Sequence, residues 1–311
     1  MAVEETRWGM IYCPKKGFFR RNNGWEKIGK HIDECGIKYD FIQSENKDSV
    51  ERLVNMLINN GYKTIIIVGG DSALNDAVNC LMKTEREVRE GISLGVIPNG
   101  GVNDFSRFWG YRDGEIEETV RWIKEKRTRK IDLGRIVYTD KNGCSHTRYF
   151  HNCVNVGLVA TIMKMRQQTQ RLSGSRLVSY LFSFIMMIFQ RLEYKMHMKI
   201  NTDVLKRKIM TVCIGNASGY GQTPSAVPYN GLLDVSVVYH PEIMQLIEGF
   251  YLLFTDKFLN HKNVHPYRTQ KVEFYDTSNA FMSIDGRMVP SPKGAFDVTV
   301  EKEVINFIIP C

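Results

Sequence analysis

Two short segments hold residue types whose spacing can do chemistry. Val68-Gly69-Gly70-Asp71-Ser72-Ala73-Leu74-Asn75-Asp76-Ala77-Val78-Asn79 follows the β-branched run Thr64–Val68 and opens a helix-like pattern. Paired glycines let a backbone approach a ligand closely, and the first N–H groups of a helix attract phosphate. Asp71 can cap that helix or reach a metal bound to phosphate. One strand later, Pro98-Asn99-Gly100-Gly101-Val102-Asn103-Asp104-Phe105 repeats the arrangement of glycines, an acidic residue and a helix start. Taken singly, a Gly-Gly-Asp turn is more often a tight turn with a helix cap. Two of them in consecutive strand–helix units face one crevice, at the carboxyl ends of adjacent parallel strands, where open α/β sheets bind ligands. The chain has neither the Walker A lysine motif nor G-x-G-x-x-G, which disfavours the common nucleotide folds.

The elements that must position these loops alternate. Strand patterns at Trp8–Cys13, Tyr39–Ile42, Thr64–Val68 and Leu94–Ile97 are separated by helical patterns at Trp25–Cys35, Val50–Asn59 and Ser72–Met82. Further helical patterns follow at Val102–Trp109 and Glu115–Lys126. Such alternation implies a parallel sheet with helices on both sides. Beyond Lys130 the texture changes. Strand patterns cover Ile131–Tyr138, Thr147–Val156, Tyr194–Ile200, Lys208–Gly215, Leu232–Tyr239, Lys271–Tyr275, Ala280–Ile284 and Phe296–Val300. Turn residues such as Lys141-Asn142-Gly143 and Asp285-Gly286 join many of them. Helical stretches interrupt at Leu158–Gln190, broken at Ser173-Gly174, and at Glu242–Phe254. The expected fold class is α/β: an N-terminal nucleotide-binding domain over 1–130, then a β-rich sandwich over 131–295, with 296–311 returning to the first domain.

Composition bounds the function. The chain has 311 residues, 43% hydrophobic and 24% charged, which excludes a disordered or fibrous protein. A net charge of +8 favours anionic partners. The seven cysteines show no C-x-x-C pair, so free buried thiols in a reduced cytoplasmic compartment are expected. The polar start Met1–Arg7 does not read as a signal peptide, and the longest apolar run, Leu177–Phe189, is shorter than the ~20 residues that span a bilayer.

The paired loops resemble the signature of the diacylglycerol kinase catalytic-domain family, which includes bacterial lipid kinases, sphingosine kinases and ceramide kinases. That family typically has G-G-D-G-[ST]-x-x-[EN]-x-x-N and P-x-G-[ST]-x-N-D-[FL]-[AS]-R. The resemblance extends along the chain through Cys13-Pro14-Lys15-Lys16-Gly17, Ile131-Asp132-Leu133-Gly134 and Phe150-His151-Asn152-Cys153-Val154-Asn155-Val156-Gly157. It continues through Tyr229-Asn230-Gly231-Leu232-Leu233-Asp234-Val235 and Ser283-Ile284-Asp285-Gly286-Arg287. It implies a nucleotide domain related to NAD kinase and phosphofructokinase, followed by a lipid-binding β-sandwich. It also implies transfer of the γ-phosphate of ATP to a lipid hydroxyl with Mg²⁺. Carried over, Asp71, Asp104, Asp132, Asp285 and Arg287 fall at catalytic positions. Gly69, Gly70, Ser72, Asn75, Gly100, Gly101 and Asn103 would bind the nucleotide, and Asp71, Asp285 and Asp234 would hold metal.

Four positions depart from the family pattern. Cys13 replaces an asparagine, Ser72-Ala73 replaces Gly-Thr, and Gly101 replaces a hydroxyl residue. Arg287 replaces the glutamate of D-G-E, and a guanidinium cannot take a proton from a hydroxyl. Two accounts stay open: an active lipid kinase acting on diacylglycerol or a related long-chain lipid alcohol, or a non-catalytic nucleotide- or lipid-binding relative. A ceramide or sphingoid-base kinase is a further alternative, and an NAD-kinase-type activity a weaker one. Ser175–Arg191 reads as a helix packed between domains, or as a lipid-facing wall preceded by Lys164, Arg166, Arg171 and Arg176. The charge run Lys124–Lys130 reads as a solvated helix end, with attraction to an anionic membrane as its functional alternative. Nucleic acid is not expected as a partner, and a homodimer is left open.

Overall fold

The protein is described here by a computed structural model. It describes residues 7–14, 24–46, 49–100, 103–112, 114–173, 193–239 and 257–310, together with 242, 245, 248, 249, 251, 252 and 255; side chains of 166–173 are not described. Gly101, Lys15–Gly17, Ser175–Arg191 and most of the Glu242–Phe254 helix expected from sequence lie outside the described residues, as do the side chains of Arg166 and Arg171. The chain forms two compact units: Met1–Leu133 with Lys302–Cys311, and Gly134–Glu301.

The first unit opens with β1 (Trp8–Tyr12), α1 (Gly24–Glu34), β2 (Tyr39–Gln43), α2 (Ser49–Asn59), β3 (Thr64–Gly69) and α3 (Asp71–Lys83). There follow α4 (Arg86–Glu90), β4 (Ser93–Pro98), α5 (Asp104–Phe108), α6 (Ile116–Glu125) and the start of β5 (Thr128–Thr139). The strands pair in the order β2-β1-β3-β4, all parallel. Every residue of β1 and β3 is buried, as a strand covered on both faces requires. On one face Trp8, Met10, Ile66, Val68 and Ile97 meet Ile28 and Ile32 of α1 and Val120 and Ile123 of α6. Helices α2 and α3 pack against each other and against β1 and β3. The short α4 escaped the sequence reading because five residues give too little periodicity.

The second unit contains β6 (Ser145–Phe150), β7 (Cys153–Gly157), α7 (Leu158–Ser173), β8 (Tyr194–Ile200), β9 (Asp203–Ile209) and β10 (Thr211–Gly215). It continues with β11 (Leu233–Val238), β12 (Val264–Thr269), β13 (Lys271–Asp276), β14 (Met282–Ile284), β15 (Arg287–Val289) and most of β16 (Phe296–Ile308). One sheet has the order β12-β11-β10-β7-β14-β15; the other runs β16-β13-β8-β9. Their inner faces share one apolar core, with Val154, Val156, Val212 and Ile214 from the first sheet and Met196, Met198, Val272 and Phe274 from the second. This is an antiparallel β-sandwich. The sequence pattern Lys208–Gly215 proves to be two strands, β9 and β10, divided at Met210, and Thr147–Val156 divides at His151-Asn152.

The last residues of β16 belong to the first unit. Asn306 and Phe307 pair in parallel with Ser93 and Leu94 of β4, and the Tyr111 hydroxyl donates to the Ile308 carbonyl at 3.0 Å. The chain's last strand is therefore a fifth strand of the parallel sheet.

Cross-strand packing in the second unit is tight at Gly134, which lies opposite Phe150. A Cβ placed on Gly134 would stand 1.9 Å from the Phe150 ring, which is fully buried. Gly134→Ala is expected to destabilise the protein by about 1–3 kcal/mol, because the ring must move within a packed core. Urea denaturation measures this, and Phe150→Leu in the Gly134→Ala background should recover part of the loss.

Candidate functional site

In the first unit the two glycine loops meet. The Asn99 N–H donates to the Gly69 carbonyl at 2.9 Å, extending the β3–β4 register in which Gly69 stands opposite Pro98. Gly100 then passes so close to Gly70 that a Cβ on it would lie 2.3 Å from the Gly70 Cα and 2.8 Å from its nitrogen. No side chain fits there. Asn103 closes the second loop on itself: its Oδ1 accepts the Gly100 N–H at 3.0 Å and its Nδ2 donates to the Gly100 carbonyl at 3.3 Å. The buried Asp71 carboxylate joins the loops, accepting the Asp104 N–H on Oδ2 at 2.9 Å. Asp71 and Asp104 each begin a helix, so both acids sit where helix N-terminal N–H groups are concentrated.

The remaining nucleotide candidates lie on α3. Ser72 is exposed in its first turn, while Ala73 packs its methyl 3.1 Å from where a side chain on Gly69 would begin. Asn75 is buried and receives the Asn79 Nδ2 donor on both its backbone carbonyl, at 2.9 Å, and its Oδ1, at 3.1 Å. Cys13 lies beside this turn. Its N–H donates to the Val68 carbonyl, and its Cβ is 3.3 Å from the same Gly69 position. Burial pushes the Cys13 thiol above the ordinary range; a hydrogen bond with Ser44 opposes the shift and the charge of Asp76 adds to it.

Asp132 belongs to the first unit, but its carboxylate is engaged elsewhere. Its Oδ1 accepts the N–H of Glu303 at 2.8 Å, and Glu303 has a left-handed backbone with φ +53°. This bond ties β5 to β16.

In the second unit, Asp285 and Gly286 form the two-residue tip of the β14–β15 hairpin, with φ of +44° and +75° and Ile284 opposite Arg287. Positive φ at both positions is the hairpin turn that Asp-Gly favours. The Asp285 carboxylate accepts the N–H of His151 at 3.0 Å, of Asn152 at 3.1 Å and of Cys153 at 2.8 Å, and His151 Nδ1 lies 2.9 Å from Oδ2. A carboxylate has about four lone-pair sites, so little of Asp285 is left for a metal or a substrate proton. In this arrangement the Asp285 carboxylate anchors the turn that presents Arg287. The Asp234 carboxylate is engaged as well. Arg268 grips both its oxygens, Nε to Oδ1 at 2.6 Å and Nη2 to Oδ2 at 2.9 Å, and a cation would have to displace that fork.

Asn152 stood in the Phe150–Gly157 motif of the sequence without a role of its own. Besides donating to Asp285, it accepts the Gly219 N–H on Oδ1 at 2.9 Å and the N–H groups of Asn216 and Ala217 on its carbonyl. Asn216 Nδ2 returns a bond to the His151 carbonyl at 3.0 Å. Three loops, 151–153, 216–221 and 285–286, are thereby knit together. Tyr220 stands over the turn with a left-handed backbone, its hydroxyl 3.2 Å from where a Gly286 side chain would begin. The available signal was the Asn-Ala-Ser-Gly-Tyr-Gly run after a strand pattern, a loop of polar and glycine residues. Among the described residues no group of three or more His, Cys, Asp or Glu side chains is arranged to hold a metal ion.

The chain matches the diacylglycerol kinase catalytic domain over residues 7–136 and the YegS C-terminal NAD kinase beta sandwich-like domain over residues 152–306. It belongs to the diacylglycerol kinase catalytic-domain family. A diacylglycerol kinase of Staphylococcus haemolyticus is 26% identical over 155 residues, 49% of this chain and 42% of that one. The chain spans about half the length of the first curated relatives it matches (50% and 42%). A crystal structure of a diacylglycerol kinase from Bacillus anthracis shares the fold with TM-score 0.67 at 15% identity, over 99% of this chain and 98% of that one. Yeast NADH kinase in complex with NADH shares it with TM-score 0.52 at 9% identity, over 96% and 82%. No helix among the described residues is long and apolar enough to cross a membrane.

Two outcomes are expected from this geometry. Asp285→Ala leaves three buried N–H groups without their acceptor and should cost about 3 kcal/mol or more in urea denaturation. Because the Cys13 thiol titrates above the usual range, its alkylation should be slow at pH 7.5 and still rising steeply above pH 9, with exposed Cys144 modified first. Peptide mass mapping after timed iodoacetamide treatment reads both rates.

Proposed function

We propose that this chain is an ATP-dependent lipid kinase that transfers the γ-phosphate to the hydroxyl of diacylglycerol or a related long-chain lipid alcohol. The observation that carries this reading is the interlock of the two glycine turns, with Asp71 bonded to the start of the second helix. Bare backbone and two helix starts suit a polyphosphate, which takes N–H donors without needing side chains. The donor set also suits Mg²⁺ shared with phosphates, since that ion takes one or two carboxylates and completes its shell from phosphate and water. Asp71 and Asp104 are the residues we assign to it. When bound, the ion supplies charge neutralisation of the phosphates.

The lipid hydroxyl oxygen forms the new P–O bond as the bond to ADP breaks, and the hydroxyl proton leaves to solvent or to a nearby carboxylate. Phosphoryl transfer rests mainly on positioning and charge, so a chain with Arg287 in place of a glutamate can retain it at a reduced rate. Asp285 acts on this reaction by holding the β14–β15 turn. Peripheral contact with an anionic membrane, where such a substrate resides, belongs to the same reading.

Arg287 also favours a second reading, in which the chain keeps binding and has lost transfer. Purified protein with Mg²⁺ and γ-labelled ATP, offered diacylglycerol, ceramide, a sphingoid base and NAD beside an Asp71→Ala control, separates the two. Label in diacylglycerol that falls about 100-fold or more in the control supports the kinase. Nucleotide binding with no labelled product supports the second reading. Arg287→Glu is expected to raise transfer. A slower variant would give Arg287 a positive role in the reaction.

A further inference from the structure

The β8–β9 hairpin ends one sheet of the second unit, and its two faces differ. The inward pairs are Met198 with Leu205 and Tyr194 with Ile209, and they join the core. Met196 faces Arg207, whose guanidinium lies 4.4 Å over the Tyr239 ring. The outward pairs are Lys195 with Lys208, His197 with Lys206 and Lys199 with Val204. Four lysines thus share one face, and two stand directly opposite each other, a placement that destabilises an antiparallel pair.

Neighbouring acids neutralise this face only in part. Glu193 pairs with Lys208 at 2.9 Å, and Glu273 is held by Lys271 at 2.9 Å with Lys199 at 4.0 Å. Asp276, opposite His197, accepts the Ser278 N–H at 3.0 Å. Among the described residues Lys195 and Lys206 have no acidic partner. Apolar groups stand among the cations: Val204 is 58% exposed, and Tyr275, 41% exposed, has its ring 4.7 Å from that of His197.

Lysines on an edge strand commonly serve to block edge-to-edge pairing. That role accounts for Lys206 and Lys208 on β9. It does not account for Lys195 and Lys199 on β8, which is paired on both sides. The charge belongs to the face of the sheet rather than to its edge.

We propose that the outer face of the β8–β9 hairpin docks on an anionic phospholipid surface. Lys195, Lys199, Lys206 and Lys208 meet the headgroups, and Val204 and Tyr275 enter the interfacial layer. The chemistry fits: ammonium groups on long stems reach phosphates while the stems stay among apolar atoms, and tyrosine settles at the lipid–water boundary. The face fits a lipid plane better than it fits the groove of a nucleic acid, since among the described residues no recognition helix accompanies it. The choice of a lipid surface rests on the lipid-kinase reading above.

Vesicle sedimentation without ATP tests the inference. Vesicles of phosphatidylcholine with 30–40% phosphatidylglycerol are the probe, beside pure phosphatidylcholine, at low and high salt, with about 0.1 M and 0.5 M as the two ionic strengths. Wild-type protein is expected to sediment with the anionic vesicles at low salt. Lys195→Glu with Lys206→Glu should weaken binding about tenfold or more. Lys141→Glu with Lys262→Glu, which changes net charge equally at other exposed positions, should weaken it far less. Circular dichroism and melting establish that both variants fold. Equal binding by the two double variants, or no binding by the wild type, overturns the proposal; so does tighter binding to an RNA or DNA oligomer that the same hairpin changes abolish. Transfer to a short-chain diacylglycerol in neutral detergent micelles is measured in parallel. Activity there with no vesicle effect removes the docking face and leaves the kinase, whereas vesicle docking without transfer does the reverse.

Discussion

The first unit depends on a contact between two stretches of bare backbone. Gly100 lies against Gly70 with no space for a Cβ between them, just beyond the point where β3 and β4 end as a hydrogen-bonded pair. Everything nearby follows from it. Asn99 can then donate to Gly69, and Asp104 can place its N–H on the Asp71 carboxylate. Two helices begin side by side, and their aligned peptide dipoles concentrate partial positive charge in one place. The contact is itself supported from below. Leu74, Ala77, Val78 and Leu81 bury the inner side of α3, so its first turn cannot drift. The glycines here thus meet a demand of packing, since no side chain fits between the two loops.

Aspartates recur through the structure in one physical role. Asp71 takes an N–H from 33 residues away, Asp132 from 171 away, and Asp285 from 132 to 134 away. Each is buried, and a carboxylate receiving N–H bonds in a low-dielectric setting makes strong contacts. Two of these bonds also hold a left-handed residue, Glu303 in one case and Asp285 itself in the other. Such backbone costs of order 1–3 kcal/mol and persists only where the surroundings hold it. The buried aspartates are therefore cross-chain ties first. The tie made by Asp71 differs from the others in joining the two glycine loops.

The same physics decides what was legible in the sequence. The parallel strands were, because Thr64–Gly69 and Ser93–Pro98 are buried on both faces and read as unbroken apolar runs. Two strands at sheet edges were not. Asp203–Ile209 carries three consecutive basic residues, and Val264–His265-Pro266–Thr269 contains a proline that only an edge tolerates. Residues Phe296–Ile308 read as five residues rather than thirteen because Glu301-Lys302-Glu303 interrupts the pattern. At the site, glycine–aspartate turns announced themselves locally. Asn152 and Tyr220 did not, since their roles exist only once strands distant in sequence bring three loops together.

Arg287 shows how far chemistry and scaffold separate in this fold. The two left-handed residues before it, and three N–H bonds to Asp285, set the turn that carries it. None of these bonds involves the side chain at 287. Those bonds are open to a carboxylate or a guanidinium at 287 alike, and exchanging one for the other changes the local charge by two. A family fold is then compatible with a wide range of proton-handling ability, and the fold by itself carries no information on the rate. What the scaffold does specify is location: the side chain at 287 stands at the start of β15, beside a turn anchored by a buried aspartate. A guanidinium there suits binding of an anionic group better than removal of a proton.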